Sequence, residues 1–215
     1  WIQEKLNVNN NQPRFSIDRK KHILKKLNEA LSFESFLHTK YVGQKRFSLE
    51  GGESLIPALD ALIMAADELG VEDFVMGMAH RGRLNTLANI FGKSTKDIFS
   101  EFDGKDYDQT VFDGDVKYHM GWTSKIDPNK DGQKINITLA PNPSHLETVG
   151  AIVQGITRAK LENKFNSDTS KVLPIIVHGD AAIAGQGLAY EIVQMASLKG
   201  CLLYTSPSPR DKRQS

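Results

Sequence analysis

Phe74-Val75-Met76-Gly77-Met78-Ala79-His80-Arg81-Gly82-Arg83-Leu84-Asn85 runs from an apolar stretch into a charged, glycine-relaxed turn. Residues 74–78 read as a short buried strand, and Leu84, Leu87, Ala88 and Phe91 recur at helical spacing, so the turn sits at a strand-to-helix junction. Open α/β sheets bind ligands at such carboxyl ends. Arg81 and Arg83 supply two permanent cations suited to phosphate or carboxylate, and His80 supplies a group able to move a proton near neutral pH. The same residues also suit a solvated basic turn with a capping histidine, and at this point both readings stand.

Upstream, Asn7 to Pro13 is polar and asparagine-rich and reads as a linker. Two helices are predicted after it. The first carries Ile23, Leu24, Leu27 and Leu31 as an apolar stripe, and the second is capped by Ser32 and carries Phe33, Phe36 and Leu37, with Gly43 as the break. A third places Leu55, Leu59, Leu62, Ile63, Ala66 and Leu69 on one face, with Pro57 in its first turn and Gly70 as its stop. Downstream, strands are predicted near 73–78, 134–140 and 172–178, and helices near 83–91, 95–102, 145–163 and 186–199. That alternation is the grammar of a parallel sheet. The long stretch from Asp103 to Asp131 reads as an irregular loop, of the kind that is usually functional or mobile.

Composition narrows the classes. The 215 residues are 40% hydrophobic and 25% charged, an ordinary globular balance, and 27 basic against 26 acidic side chains leave a net charge of +1. Bulk attraction to nucleic acid or an anionic membrane is therefore absent, and anion binding has to be local. No apolar run reaches the length of a membrane span. The single cysteine, Cys201, rules out an internal disulfide framework and suits a reducing compartment. Residues 201–215, with Ser206-Pro207-Ser208-Pro209 and no apolar periodicity, read as a non-native tail or a flexible one. The chain starts at Trp1, so a preceding segment is expected.

Two more junctions carry polar groups. Pro141-Asn142-Pro143-Ser144-His145-Leu146-Glu147 follows the 134–140 strand; Ser144 and Glu147 have capping-box spacing, while the paired prolines and His145 suit a ligand-facing loop. His178-Gly179-Asp180-Ala181-Ala182-Ile183-Ala184-Gly185-Gln186-Gly187 follows the last strand, where Asp180 is either a hard oxygen ligand for magnesium or a helix cap. His119, inside the long loop, is either an anion-binding group or a surface histidine. Together the three strand ends hold cations, a hydroxyl beside an imidazole, and a carboxylate. Such a set suits a diphosphate bound through a metal.

These blocks, with Phe47-Ser48-Leu49-Glu50-Gly51-Gly52-Glu53 and Gly114-Asp115-Val116-Lys117-Tyr118-His119, resemble the decarboxylating component of 2-oxoglutarate dehydrogenase over roughly residues 32–200. The resemblance implies an α/β fold: an open, mostly parallel sheet with flanking helices, a truncated thiamine diphosphate-binding fold preceded by an N-terminal helical segment. It divides the chain into residues 1–45, residues 46–200 and the tail 201–215. It also implies thiamine diphosphate and magnesium as cofactors, 2-oxoglutarate as substrate, and transfer of the succinyl group to a lipoyl arm. The expected partners are the lipoylated succinyltransferase component and dihydrolipoyl dehydrogenase, with a homodimer at full length and no nucleic acid. The compartment would be the mitochondrial matrix in a eukaryote or the cytoplasm in a bacterium.

By the same resemblance, His80 and His119 are the catalytic histidines, and His119 recognises the substrate's carboxylates with support from Ser144. Arg81 holds the diphosphate, Ser144, His145 and Leu146 border the cofactor with Leu146 under the thiazolium ring, and Asp180 binds cofactor and magnesium. Pro141 stands where the family pattern has alanine. The Asn-Asn pair that completes the family's metal site does not follow Asp180 here, so this chain alone is expected to be inactive. A 2-oxoadipate-preferring relative and a non-catalytic cofactor-binding fragment are the alternatives, the first differing by one methylene of substrate, worth about 1–3 kcal/mol of discrimination.

Overall fold

The computed structural model describes residues 2–8, 12–103 and 118–195. Its centre is strand β1 (Asp73–Met78), all six residues of which are buried. β1 pairs in parallel with β3 (Ile135–Leu139) on one side and with β4 (Val172–Val177) on the other, and β2 (Trp122–Ile126) adds antiparallel to β3. The sheet order is β2-β3-β1-β4. This is the open, mostly parallel α/β sheet that the alternating pattern predicts.

Strand alternation divides β1 between two cores. Phe74, Met76 and Met78 face a layer built from α2 (Ile17–Lys40), α3 (Leu55–Glu68), α4 (Arg83–Asn89) and α5 (Thr95–Phe102), joined by Ile135, Ile137 and Leu139 of β3. Val75 faces the opposite layer, where Val149, Val153 and Leu161 of α6 (Thr148–Lys164) pack with Val172. The chain leaving β1 thus runs over one face and the chain leaving β3 over the other. The carboxyl ends of β1 and β3 are therefore the switch point at which doubly wound sheets bind their ligands.

Several predicted elements differ in detail. The two N-terminal helices are one, α2, capped by Ser16, whose hydroxyl accepts from the Arg19 amide at 3.2 Å. Ser32 lies inside it and caps nothing, because Leu31-Ser32-Phe33 holds no breaker and one mid-helix serine costs little. Its buried face is Ala30, Phe33, Glu34 and Leu37, while Leu24 and Leu31 face outward. In α3, Ile56 takes the inward place expected of Leu62 and Leu69, both exposed.

The expected loop 103–131 contains β2, whose alternating Thr123 and Lys125 give little apolar signal; residues 104–117 of it, with Gly114 to Lys117, lie outside the described residues. The predicted helix 186–199 divides into α7 (Asp180–Gly185) and α8 (Gly187–Gln194), parted at Gln186, whose backbone is extended. Its last residues, Cys201 and the tail also lie outside the described residues. A short helix α1 (Ile2–Asn7) precedes the expected linker and meets it at Asn7. Among the described residues no helix is long and apolar enough to cross a membrane.

Candidate functional site

The turn after β1 is held by its own backbone. Gly82 adopts φ +75 and its amide donates to the Phe47 carbonyl at 2.9 Å, while a Cβ there would stand 2.5 Å from Leu49 Cδ1. Only glycine meets both demands without strain. The two arginines of the turn then part company. Arg81 is exposed and donates to the Ser48 carbonyl at 3.3 Å. Arg83 is fully buried, and its donors go to the carbonyls of Met78, Met120 and Ala140 at 3.0, 2.9 and 2.7 Å. The expectation of two anion-binding cations is therefore corrected to one, since Arg83 is consumed by the backbone.

His80 is partly buried against aromatic rings. Phe47 stacks on it with centroids 5.1 Å apart at 28°, and Tyr118 meets both rings edge-on. The His119 ring lies 5.2 Å away at 49°. His119 Nε2 and Ser144 Oγ are in hydrogen-bond contact at 2.8 Å, and the His119 carbonyl accepts from the Asn142 amide at 2.9 Å. His80, His119 and Ser144, from three separate blocks of sequence, thus meet at one point.

Burial, with the positive charges of His119, Arg83 and Lys45, holds His80 below its ordinary imidazole range. Folding therefore favours the neutral ring. As pH falls through 6.5 the unfolded chain takes up this proton before the folded one does, so the contribution of His80 is whole above 6.5 and is lost toward the lowered folded value. Proton NMR titration of the His80 ring should give a midpoint below that of a free histidine; a midpoint at or above 6.5 would contradict this account.

The other predicted residues lie after β3 and β4, at the same carboxyl side of the sheet. His145 is exposed, its carbonyl accepting from Thr148 Oγ1 at 2.8 Å, and Leu146 leaves 49% of its surface open at a strand end where polar groups dominate. Asp180 is exposed in the first turn of α7, after β4, and makes no hydrogen bond or ion pair among the described residues. The Ser144–Glu147 capping box does not form. Glu147 takes a left-handed φ of 69° and its buried carboxylate bonds His178 Nδ1 at 2.5 Å, tying the start of α6 to the end of β4. The contact with His178 takes the place of the cap.

Sequence reading assigned no role to Phe47, Tyr118 or the Glu147–His178 pair. Phe47 carried a signal only as part of a glycine-rich block, and ring stacking across 33 residues leaves no local periodicity. Among the described residues no group of three or more His, Cys, Asp or Glu side chains can hold a metal, so a cation here would rest on Asp180 and on its ligand's own oxygens. An open guanidinium, an open carboxylate and an uncovered apolar side chain at adjoining strand ends fit a diphosphate-bearing aromatic cofactor held with magnesium.

Comparison with known proteins agrees with this arrangement. The family described as "Dehydrogenase E1 component" matches residues 25–203. Proteins named 2-oxoglutarate dehydrogenase E1 component are similar to the chain: that of Cupriavidus necator is 46% identical over all of this chain and 24% of its own length. That of Azotobacter vinelandii is 43% identical over 93% of this chain and 21% of its own, and that of Brucella canis 46% over 93% and 21%. The chain spans about a quarter of the length of the curated relatives it matches. On this evidence of sequence and fold, the chain belongs to the dehydrogenase E1 component family.

Proposed function

We propose that the protein of which this sequence forms part decarboxylates 2-oxoglutarate with thiamine diphosphate and magnesium, passing the succinyl group to the lipoyl arm of a partner component. The observation that carries the reading is the meeting of His80, His119 and Ser144 at the carboxyl side of the sheet. When bound, the cofactor supplies the carbanion that attacks a 2-oxo group and stabilises the charge left by carbon dioxide. The chain's residues hold and orient. Arg81 would hold the diphosphate, Asp180 the magnesium, and Leu146, with Ser144 and His145 beside it, would offer the cofactor ring an apolar contact.

His80 and His119 then face the acid. A neutral imidazole donates N–H to a carboxylate at no cost in protonation, and the cations of Lys45 and Arg83 around His80 favour an anionic ligand over a neutral one. Ser144 fixes the orientation of the His119 ring. Proton transfer by a positioned histidine contributes about 10²–10⁴-fold, so His80→Ala or His119→Ala in the intact protein is expected to lower kcat/KM about 100-fold or more. Both proteins should keep thiamine diphosphate binding within a few-fold of the parent.

The deciding assay is thiamine diphosphate-dependent release of carbon dioxide by the intact protein, offered 2-oxoglutarate and 2-oxoadipate side by side. Faster turnover of the longer acid would replace the substrate, and turnover of neither would reduce the site to a binding module. For the 215-residue chain alone the expected result is no turnover, with calorimetric heat on titration of thiamine diphosphate and magnesium marking binding without catalysis.

A further inference from the structure

We infer that Arg83 is a positioning residue that holds the His80, His119 and Ser144 loops in one register by bonding the backbone of all three through a single buried guanidinium. Its Nη1 donates to the carbonyl of Met78, two residues before His80; its Nη2 donates to Met120, directly after His119, and to Ala140, at the head of the loop that carries Ser144. The three acceptors lie 5, 37 and 57 residues away along the chain.

The chemistry of the side chain explains its choice. Three carbonyls that approach from different strand ends need several donors fixed in one plane, which a guanidinium offers and an ammonium on a flexible stem does not. A buried cation is costly, and one without a carboxylate is costlier still. Among the described residues no carboxylate lies within ion-pairing distance of Arg83, and burial lowers it to about 10, so at neutral pH it stays charged. That uncompensated charge also reaches the imidazole above it. The charged or titratable groups facing His80 are His119, Arg83, Lys45 and Tyr118, and of these Arg83 is the one with its charge held permanently inside the fold.

The role rests on the reading that His80 and His119 act as a unit, but its test needs neither substrate nor cofactor. In the 215-residue chain, NMR should show separate, slowly exchanging Nη protons for Arg83 and nuclear Overhauser contacts between the His80 and His119 rings. Arg83→Met should abolish the ring contacts and move the His80 titration up toward its ordinary value. Arg83→Lys, which keeps the charge and loses the fork, should weaken the ring contacts while leaving the His80 titration nearer the parent's. Unchanged ring contacts and titration in folded Arg83→Met would overturn the inference. If that variant does not fold, averaged guanidinium signals in the parent, or parent-like ring contacts in Arg83→Lys, would overturn it as well. Lack of 2-oxoglutarate turnover by the intact protein would sink the functional reading and leave these signals as they are.

Discussion

Glu34→Ala is expected to cost about 3–5 kcal/mol, the range for removing one partner from a buried, hydrogen-bonded charge. Glu34 lies 7% exposed on the inner face of α2 and gathers donors from two other segments. Its Oε1 accepts from the Leu49 amide at 3.1 Å and Asn85 Nδ2 at 3.0 Å, and its Oε2 from Ser48 Oγ at 2.8 Å, with Arg46 Nη1 at 3.5 Å. Alanine would strand the amide and carboxamide in a closed interior, where each unsatisfied donor costs about 1–3 kcal/mol. Urea denaturation of the chain should show the lower midpoint, and Glu34→Gln, which keeps one acceptor oxygen, should recover part of it. The loop that Glu34 anchors carries Phe47, so the His80 ring signals should broaden in the alanine variant before the fold is lost. A midpoint within about 1 kcal/mol of the parent would show the carboxylate to be dispensable.

Gly77→Val should lose about 3 kcal/mol, at the upper end for overpacking. Gly77 lies in the middle strand, and a Cβ there would stand 2.6 Å from Val153 Cγ2 and 2.9 Å from Val149 Cγ2. Those two side chains are 0% and 4% exposed and β-branched, so neither has another rotamer to turn into. α6 would have to lift from β1, and Glu147 at its head, bonded to His178, would be drawn with it. Gly77→Ala should show a smaller loss in the same direction, and Gly77→Val with Val153→Ala should regain most of it. A fully parent-like midpoint in Gly77→Val would mean that the sheet and helix are not packed at this distance.

The fold was legible wherever burial is symmetric. β1 reads as a continuous apolar strand because both its faces are buried, β3 shows its inner face through Ile135, Ile137 and Leu139, and Gly70 and Gly43 stop their helices with left-handed backbones, as expected. β2 was not legible because one of its faces, Thr123 and Lys125, is open and Ser124 separates the two apolar residues at its ends, Trp122 and Ile126. Helix faces were misjudged for a similar reason: Leu24 and Leu69 look like core by residue type and stand outside, while Glu34 and Asp67 look like surface and lie inside with partners.

For the site, residue chemistry identified His80, His119, Ser144, Arg81 and Asp180 as groups worth placing, and the structure brings the first three together. What sequence could not separate was Arg81 from Arg83. The two stand two residues apart with the same side chain, and only the direction each takes from the turn makes one available to a ligand and the other part of the backbone's hydrogen bonding. Glu147 is a parallel case. Its spacing from Ser144 satisfies a capping rule, but a histidine 31 residues later offers the stronger partner.

The sheet order also carries a kinetic meaning. Only β2 and β3 are neighbours in both sequence and space, whereas β1 has to wait for β3 on one side and β4 on the other. The contact from Arg83 to Ala140 closes 57 residues of chain, an entropy to be met before any of its bonding is gained. The two histidine rings are therefore expected to come into contact late in folding, after the central strand is flanked. A probe on that ring pair, followed during refolding, should change after a probe on the β2–β3 ladder does.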